Sequence, residues 1–213
     1  MGAEQQDEVF AGEFLDHARE GFYDAHNERP VCLGLLGHVA ARRVLDAACG
    51  PGLYAEALLA HGAQVIGFDQ GPRMIDLCRQ PVPSGEFRVH DLASPLDWMP
   101  DSSVDLVLLA SAIEYVDERI AALRELHRVL RATGALALSR QHPTGDWLRH
   151  GGSCFDVHVI EEVWSRGWKL RCATGSRRSS RRATNSSRPV SSSKGLLEPR
   201  PAPTAAQIDV EEQ

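Results

Sequence analysis

The chain has 213 residues, of which 43% are apolar, and this is enough for one domain with a sizeable hydrophobic core. Residues 1–165 carry 13 basic and 25 acidic side chains, a net charge of −12, whereas residues 166–213 carry 10 and 4, a net charge of +6. The acidic body argues against nucleic acid as a partner, because binding to phosphates normally needs a basic face.

The sequence also argues against membrane, export and metal-binding functions. No run approaches the roughly 18 apolar residues of a membrane-spanning helix, and the first residues lack the basic-then-apolar pattern of a secretory signal. The five cysteines contain no Cys-x-x-Cys pair of the kind that binds zinc. We therefore expect a protein of the reducing cytoplasm, with no membrane partner and no bound metal.

The first predicted region is an acidic N-terminal tail and helix over residues 1–20, with the helix at about residues 10–19. The segment 21–30 reads Gly-Phe-Tyr-Asp-Ala-His-Asn-Glu-Arg-Pro. Pro30 suits the first turn of a second helix, which we expect to lead towards the first strand.

The stretch 43–69 is the most informative part of the chain. An apolar run ends at Asp46, small residues including Gly50 and Gly52 follow, and after a helical pattern a second apolar run ends at Asp69. This order of strand, glycine-rich turn, helix, strand and acid predicts the first βαβ unit of a nucleotide-binding sheet. The glycines let a ligand approach the backbone, and Asp69 can accept hydrogen bonds from both hydroxyls of a ribose.

Two details of this stretch separate the possible cofactors. A dinucleotide site would read G-x-G-x-x-G, whereas residues 48–53 read Ala-Cys-Gly-Pro-Gly-Leu. Asp46 would repel a pyrophosphate but attract an ammonium group. The stretch resembles motif I of the class I S-adenosylmethionine-dependent methyltransferases, (D/E)-x-G-x-G-x-G, with Ala48 in place of the first glycine. A similar crossover without any ligand is the alternative.

The later elements follow the same pattern. After Asp69 we predict a helix from Gly71-Pro72, a strand over 86–90, a nearly continuous apolar strand over 104–110, a helix over 119–130 and a strand over 135–138. This is the order of the methyltransferase family. It implies an α/β, Rossmann-like, doubly wound sheet with the ligand at the carboxyl ends of the strands.

The resemblance covers about residues 20–172 and implies S-adenosylmethionine as the cofactor. Tyr23 is then a candidate contact for the methionine end, or else an aromatic residue packed between helices. Asp91 is a candidate for the adenine amino group, or else the start of an Asx turn or helix cap. The remaining residues to which the resemblance assigns cofactor contacts are Asp46, Ala48, Gly50, Gly52, Asp69, Gln70, Leu92 and Ser111.

The acceptor side is less well specified. The resemblance implies a substrate cap at about 141–170, beginning at Gln-His-Pro and containing Trp147, Phe155, Trp164 and Trp168. A general base is needed only if the acceptor must lose a proton, and the candidates are His142, Glu114 and Tyr115. Relatives often have histidine at position 114, and His142 can equally shape the turn before its proline.

Residues 173–195 do not match the family. Eight of these 23 residues are serine, six are basic and none is aromatic, so we predict no packed structure here. The family places a helix and most of its sixth strand in this interval. The sheet is therefore expected to lack the intact hairpin of the family's sixth and seventh strands, which would expose the fifth strand as an edge. A double frameshift and a real disordered tail over 173–213 are both open.

The sequence thus predicts transfer of a methyl group from S-adenosylmethionine to a small-molecule acceptor. Residues 110–116 lack the (N/D)-P-P-Y signature of amide and adenine N-methyltransferases. Two alternatives are a catalytically impaired relative that only binds the cofactor, and a nucleotide-dependent oxidoreductase. The missing third glycine and the acids Asp46 and Asp91 disfavour the oxidoreductase. The acceptor atom and the oligomeric state stay open.

Overall fold

A computed structural model describes residues 3–140, 148, 151, 158–164 and 168–174. These residues fall into two compact units, one containing residues 3–140 and the other containing the segments after residue 140. His142, Trp147, Phe155 and the tail beyond residue 174 lie outside the described residues, so the predictions made for them stay predictions.

The larger unit contains a five-stranded sheet with the strand order β3-β2-β1-β4-β5. All neighbouring strands are parallel, which confirms the predicted α/β architecture. The chain order reverses between β1 and β4, and ligands in such sheets bind at the carboxyl ends of the strands next to that point. The strands are β1 (Arg43–Ala47), β2 (Gln64–Asp69), β3 (Glu86–Val89), β4 (Val104–Leu109) and β5 (Leu130–Leu138).

The helices flank this sheet and connect its strands. The predicted helix at residues 10–19 lies inside a longer one, and the segment 21–30 contains a π-helix that the sequence did not predict. π-Helices are rare in proteins, and those that occur are often found at functional sites. The helices are α1 (Ala3–Glu20), the π-helix Asp24–Glu28, α2 (Arg29–Leu36), α3 (Leu53–Ala60), α4 (Pro72–Arg79), the 3₁₀-helix Ile113–Tyr115 and α5 (Arg119–Val129).

Strand β5 begins earlier than the sequence predicts. The sequence predicts a helix to residue 130 and a strand only from residue 135, but Leu130 already pairs with Val104, and the register shifts before Ala135 meets Leu106. A Cβ atom on Gly134 would lie 2.7 Å from the carbonyl oxygen of Asp105. The glycine therefore serves a close approach of two strands rather than the end of the helix.

The core has two layers, one on each face of the sheet. Val44 faces the layer that includes α2, α3 and α4, whereas its neighbour Leu45 faces the layer that includes α5. Both side chains are fully buried. Burial on both faces explains why β1, β2 and β4 read as continuous apolar runs in the sequence.

The smaller unit contains an antiparallel pair, β6 (His158–Trp164) and β7 (Trp168–Thr174). In its register Trp164 is opposite Trp168. Part of the predicted substrate cap thus forms a hairpin. The prediction that the main sheet lacks the family's last hairpin stays a prediction. Among the described residues, no helix has the length and apolar character needed to cross a membrane.

Gly52 at the start of α3 is required for packing. Its φ angle is +89°, and an added Cβ would lie 2.5 Å from Sγ and 3.1 Å from Cα of Cys78 on α4. We expected this glycine to let a ligand approach the backbone, and its contact with Cys78 shows that it is also needed for helix packing. It lets the N-terminus of α3 lie directly against α4.

We predict that Gly52→Ala lowers the free energy of unfolding by about 2–4 kcal/mol, because a left-handed alanine and an overpacked contact both cost free energy. Urea unfolding would measure the loss. Gly62→Ala is the matched control: Gly62 has φ +80°, but its added Cβ would approach Ala40 only to 3.6 Å. A loss equal to that of the control would contradict the packing explanation.

Candidate functional site

Asp69 fixes the glycine-rich loop to the carboxyl end of β2. Its Oδ2 accepts a hydrogen bond from the Gly50 amide at 3.0 Å, and its Oδ1 accepts one from the Gly71 amide at 2.8 Å. Burial raises the pKa of Asp69, while the two amide donors oppose that shift. Each carboxylate oxygen can accept a further hydrogen bond, so Asp69 can still bind hydroxyl groups of a ligand.

The loop between β1 and α3 has an unusual backbone. Ala48, Gly50 and Gly52 have φ angles of +57°, +52° and +89°. A left-handed alanine costs roughly 1–2 kcal/mol, and such strain is typical of functional sites. Ser111, two residues after the end of β4, also has a positive φ of +46°. Two strained non-glycine residues therefore lie at the carboxyl edge of the sheet.

Asp46 is the most deeply buried acid of the site, with 1% of its surface exposed. Its Oδ2 has no hydrogen-bond partner in the described part of the chain. Burial, assisted by the negative charge of Asp69, raises the pKa of Asp46 to about 8. Leaving a buried oxygen without a donor costs free energy, so this position favours a ligand that brings a donor or a positive charge.

The acid after β3 has a local role. Oδ1 of Asp91 accepts a hydrogen bond from the Ala93 amide at 2.9 Å, which is the Asx turn named as the alternative. Asp91 is exposed, so its contact with adenine stays a prediction. Leu92 is buried in the core layer that contains α5, and Gln70 is exposed beside Asp69.

The segment before α2 brings an acid to the site that the sequence analysis missed. Glu28, at the end of the π-helix, accepts a hydrogen bond from Oγ of Ser111 at 2.5 Å and another from Oγ of Ser139. These serines follow β4 and β5. No short motif signals contacts across such sequence distances. Tyr23, directly before the π-helix, is 49% exposed.

Two of the three candidate bases lie after β4. Glu114 and Tyr115 are in the 3₁₀-helix, where Glu114 is 7% exposed and Tyr115 41%. Burial, and then the charges of nearby acids that include Glu28 and Glu114, raise the pKa of Tyr23. Glu114 therefore lies near the segment that carries Tyr23. The third candidate, His142, lies outside the described residues.

The carboxyl edge is thus acidic, with Asp46, Asp69, Glu28 and Glu114 at the strand ends or in the segments beside them. In the described part of the chain, no group of three or more histidine, cysteine or acidic side chains could hold a metal ion. Cys32, Cys49 and Cys78 are buried and form no disulfide.

Known proteins of similar sequence include methyltransferases. Residues 45–138 match the family model described as a methyltransferase domain. An uncharacterized methyltransferase of Mycobacterium tuberculosis is 37% identical over 127 residues, which cover 58% of this chain and 50% of that protein. A malonyl-[acyl-carrier protein] O-methyltransferase of Dechloromonas aromatica is 34% identical over 140 residues, covering 62% and 50%. The chain spans about half the length of the curated relatives it matches.

The fold also has solved counterparts. A putative S-adenosylmethionine-dependent methyltransferase from Listeria monocytogenes aligns with a TM-score of 0.59 at 17% identity, covering 69% of this chain and 76% of that one. At this identity the likeness concerns the fold alone. It agrees with the parallel sheet and flanking helices of residues 3–140.

Asp46 generates a prediction about pH. Its raised pKa means that the folded protein holds a proton between about pH 4 and 8 that the unfolded chain loses, so this residue's contribution to stability falls as pH rises through that window. Asp46→Asn should remove this dependence. The free energy of unfolding of Asp46→Asn, minus that of the parent, should increase with pH by at most about 1.4 kcal/mol per pH unit.

Chemical unfolding of both proteins at several pH values would measure this gain. Asp97→Asn is the matched control, because it removes an exposed acid and should leave the pH profile of the parent unchanged. A stability difference between Asp46→Asn and the parent that is constant from pH 4 to 8 would contradict the prediction.

Proposed function

We propose that this chain, which carries a class I S-adenosylmethionine-dependent methyltransferase domain, transfers a methyl group from that cofactor to a small-molecule acceptor in the cytoplasm. The observation that carries the proposal is the buried, unpartnered oxygen of Asp46 beside a loop held by Asp69. A ligand with an ammonium group and a ribose meets both needs. S-adenosylmethionine has both.

The residues present fit this cofactor. Asp69 has acceptor capacity left for ribose hydroxyls, and Asp46 favours the methionine ammonium. An added Cβ on Gly50 would meet only Cε1 of Phe14, at 3.8 Å, so the loop has space beside it up to α1. Phe14 is therefore a further candidate to cover the cofactor.

The bound cofactor supplies a methyl group on a sulfonium, which is already an activated leaving group. The protein must then mainly orient the acceptor, and orientation can lower the activation barrier by about 7–11 kcal/mol. Glu114 is our candidate base where the acceptor must lose a proton, because it is buried and lies in the 3₁₀-helix that follows β4. Tyr115, half-exposed beside it, is a candidate to shield the acceptor from water.

The acidic carboxyl edge supports a small acceptor rather than nucleic acid. Phosphate backbones are held by clusters of lysine and arginine. Here Arg119, the arginine nearest in sequence to Glu114, donates to the backbone oxygens of Glu114 and Val116. It thereby stabilises the start of α5.

We predict that calorimetric titration detects binding of S-adenosylmethionine and S-adenosylhomocysteine, and that Asp69→Ala weakens it by about 1.5–3 kcal/mol through loss of charge-assisted hydrogen bonds. This variant also loses the anchors of Gly50 and Gly71, so unfolding must be measured in parallel. Asp97→Ala is the control on an exposed loop. Unchanged affinity of a folded Asp69→Ala protein would contradict the assignment.

The acceptor class has its own test. With radiolabelled S-adenosylmethionine, we expect methyl incorporation into small-molecule fractions of a bacterial extract and none into bulk nucleic acid. The Asp69→Ala variant should incorporate far less, which separates enzymatic labelling from background. Labelling of nucleic acid alone would overturn the small-molecule assignment.

A further inference from the structure

Glu28 is attached to the carboxyl edge of the sheet through one of its two oxygens. Oε1 accepts both serine hydrogen bonds, from Oγ of Ser111 after β4 and from Oγ of Ser139 after β5. The side chain is 6% exposed. These bonds fix the carboxylate between the ends of two neighbouring strands.

The other oxygen of Glu28 lacks a partner. Oε2 makes no hydrogen bond and no ion pair within the described part of the chain. The adjacent guanidinium of Arg29 donates to the carbonyl oxygen of Ala18 instead. Oε2 is not among the fully buried atoms without a partner, so it is open at the surface of the site, where it can accept hydrogen bonds from a ligand that donates them or carries positive charge.

Two tyrosines near Glu28, Tyr23 and Tyr54, also favour a cationic ligand. Burial, followed by the charge of Glu28, raises the pKa values of the phenols of Tyr23 and Tyr54. Both rings therefore stay neutral and offer π-faces that attract cations. The Tyr54 hydroxyl is buried beside the Cys32 thiol and has no other hydrogen-bond partner among the described residues.

The place of Glu28 in the sheet assigns it to the acceptor. The ends of β1 and β2 carry the glycine loop and Asp69, which the proposed function assigns to the cofactor. The ends of β4 and β5 lie on the other side of β1 and are followed by Ser111 and Ser139, which hold Glu28 there. Resting on that proposed function, we propose that Glu28 is an acceptor-binding residue and that the acceptor carries a protonated amine rather than a carboxylate.

The test uses cofactor analogues that extend towards the acceptor position. In aza analogues of S-adenosylhomocysteine, nitrogen replaces sulfur and can carry a 2-aminoethyl, a 2-hydroxyethyl or a carboxymethyl arm. Calorimetry with the full chain should show at least tenfold tighter binding of the aminoethyl analogue than of the carboxymethyl analogue. The hydroxyethyl analogue should fall between them.

The Glu28→Gln variant should lose most of this preference, because the neutral amide no longer attracts the protonated amine. It should still bind S-adenosylhomocysteine within about threefold of the parent, or less than about 0.7 kcal/mol. Glu86→Gln, an exposed acid at the amino end of β3, is the matched control and should keep the preference. Thermal unfolding checks that Glu28→Gln is folded. The preference in the parent protein stands as a test by itself.

Equal or tighter binding of the carboxymethyl analogue to the parent protein would overturn the proposal. So would an amine preference that persists in folded Glu28→Gln. Both outcomes leave the proposed function intact, because S-adenosylhomocysteine would still bind. Failure of the parent to bind S-adenosylhomocysteine would instead overturn the proposed function, and the assignment of Glu28 with it.

Discussion

The carboxylate of Asp69 is the interaction on which the site depends. By accepting from the Gly50 amide on one side and the Gly71 amide on the other, it joins the loop after β1 to the end of β2 and the start of α4, across 19 residues of the chain. The left-handed residues 48, 50 and 52 are held in place by this bridge and by the contact of Gly52 with Cys78. Such strained backbone persists only where its surroundings determine it strongly.

The sheet could be predicted because its sequence signals are local. Strands β1, β2 and β4 are buried on both faces, so each appears as an uninterrupted apolar run, and the acids Asp46 and Asp69 mark where two of these runs end. The start of β5 was predicted wrongly, at residue 135 instead of 130, because the pair Thr133-Gly134 is typical of a helix end. Pairing of Leu130 with Val104 determined the result, and that pairing depends on the neighbouring strand.

The parts that were missed depend on contacts between distant segments. Glu28 is an ordinary polar residue in the sequence, and only its meeting with Ser111 and Ser139 distinguishes it. Likewise, no pattern shows that Gly52 faces Cys78, although the glycine itself was singled out. For Asp91 the sequence allowed an adenine contact or an Asx turn. The hydrogen bond from the Ala93 amide supports the turn, and the adenine contact stays a prediction.

The burial of Asp46 has a consequence for how charge enters the site. With its pKa raised to about 8, the carboxyl holds a proton at neutral pH and so avoids the cost of a buried, unpaired charge. A cation that binds beside it favours the ionised form, and the proton must leave as the cation arrives. Binding and proton release are therefore linked: below that pKa the apparent affinity for a cation falls by up to about tenfold per pH unit, and part of the heat of binding belongs to the buffer that takes up the proton.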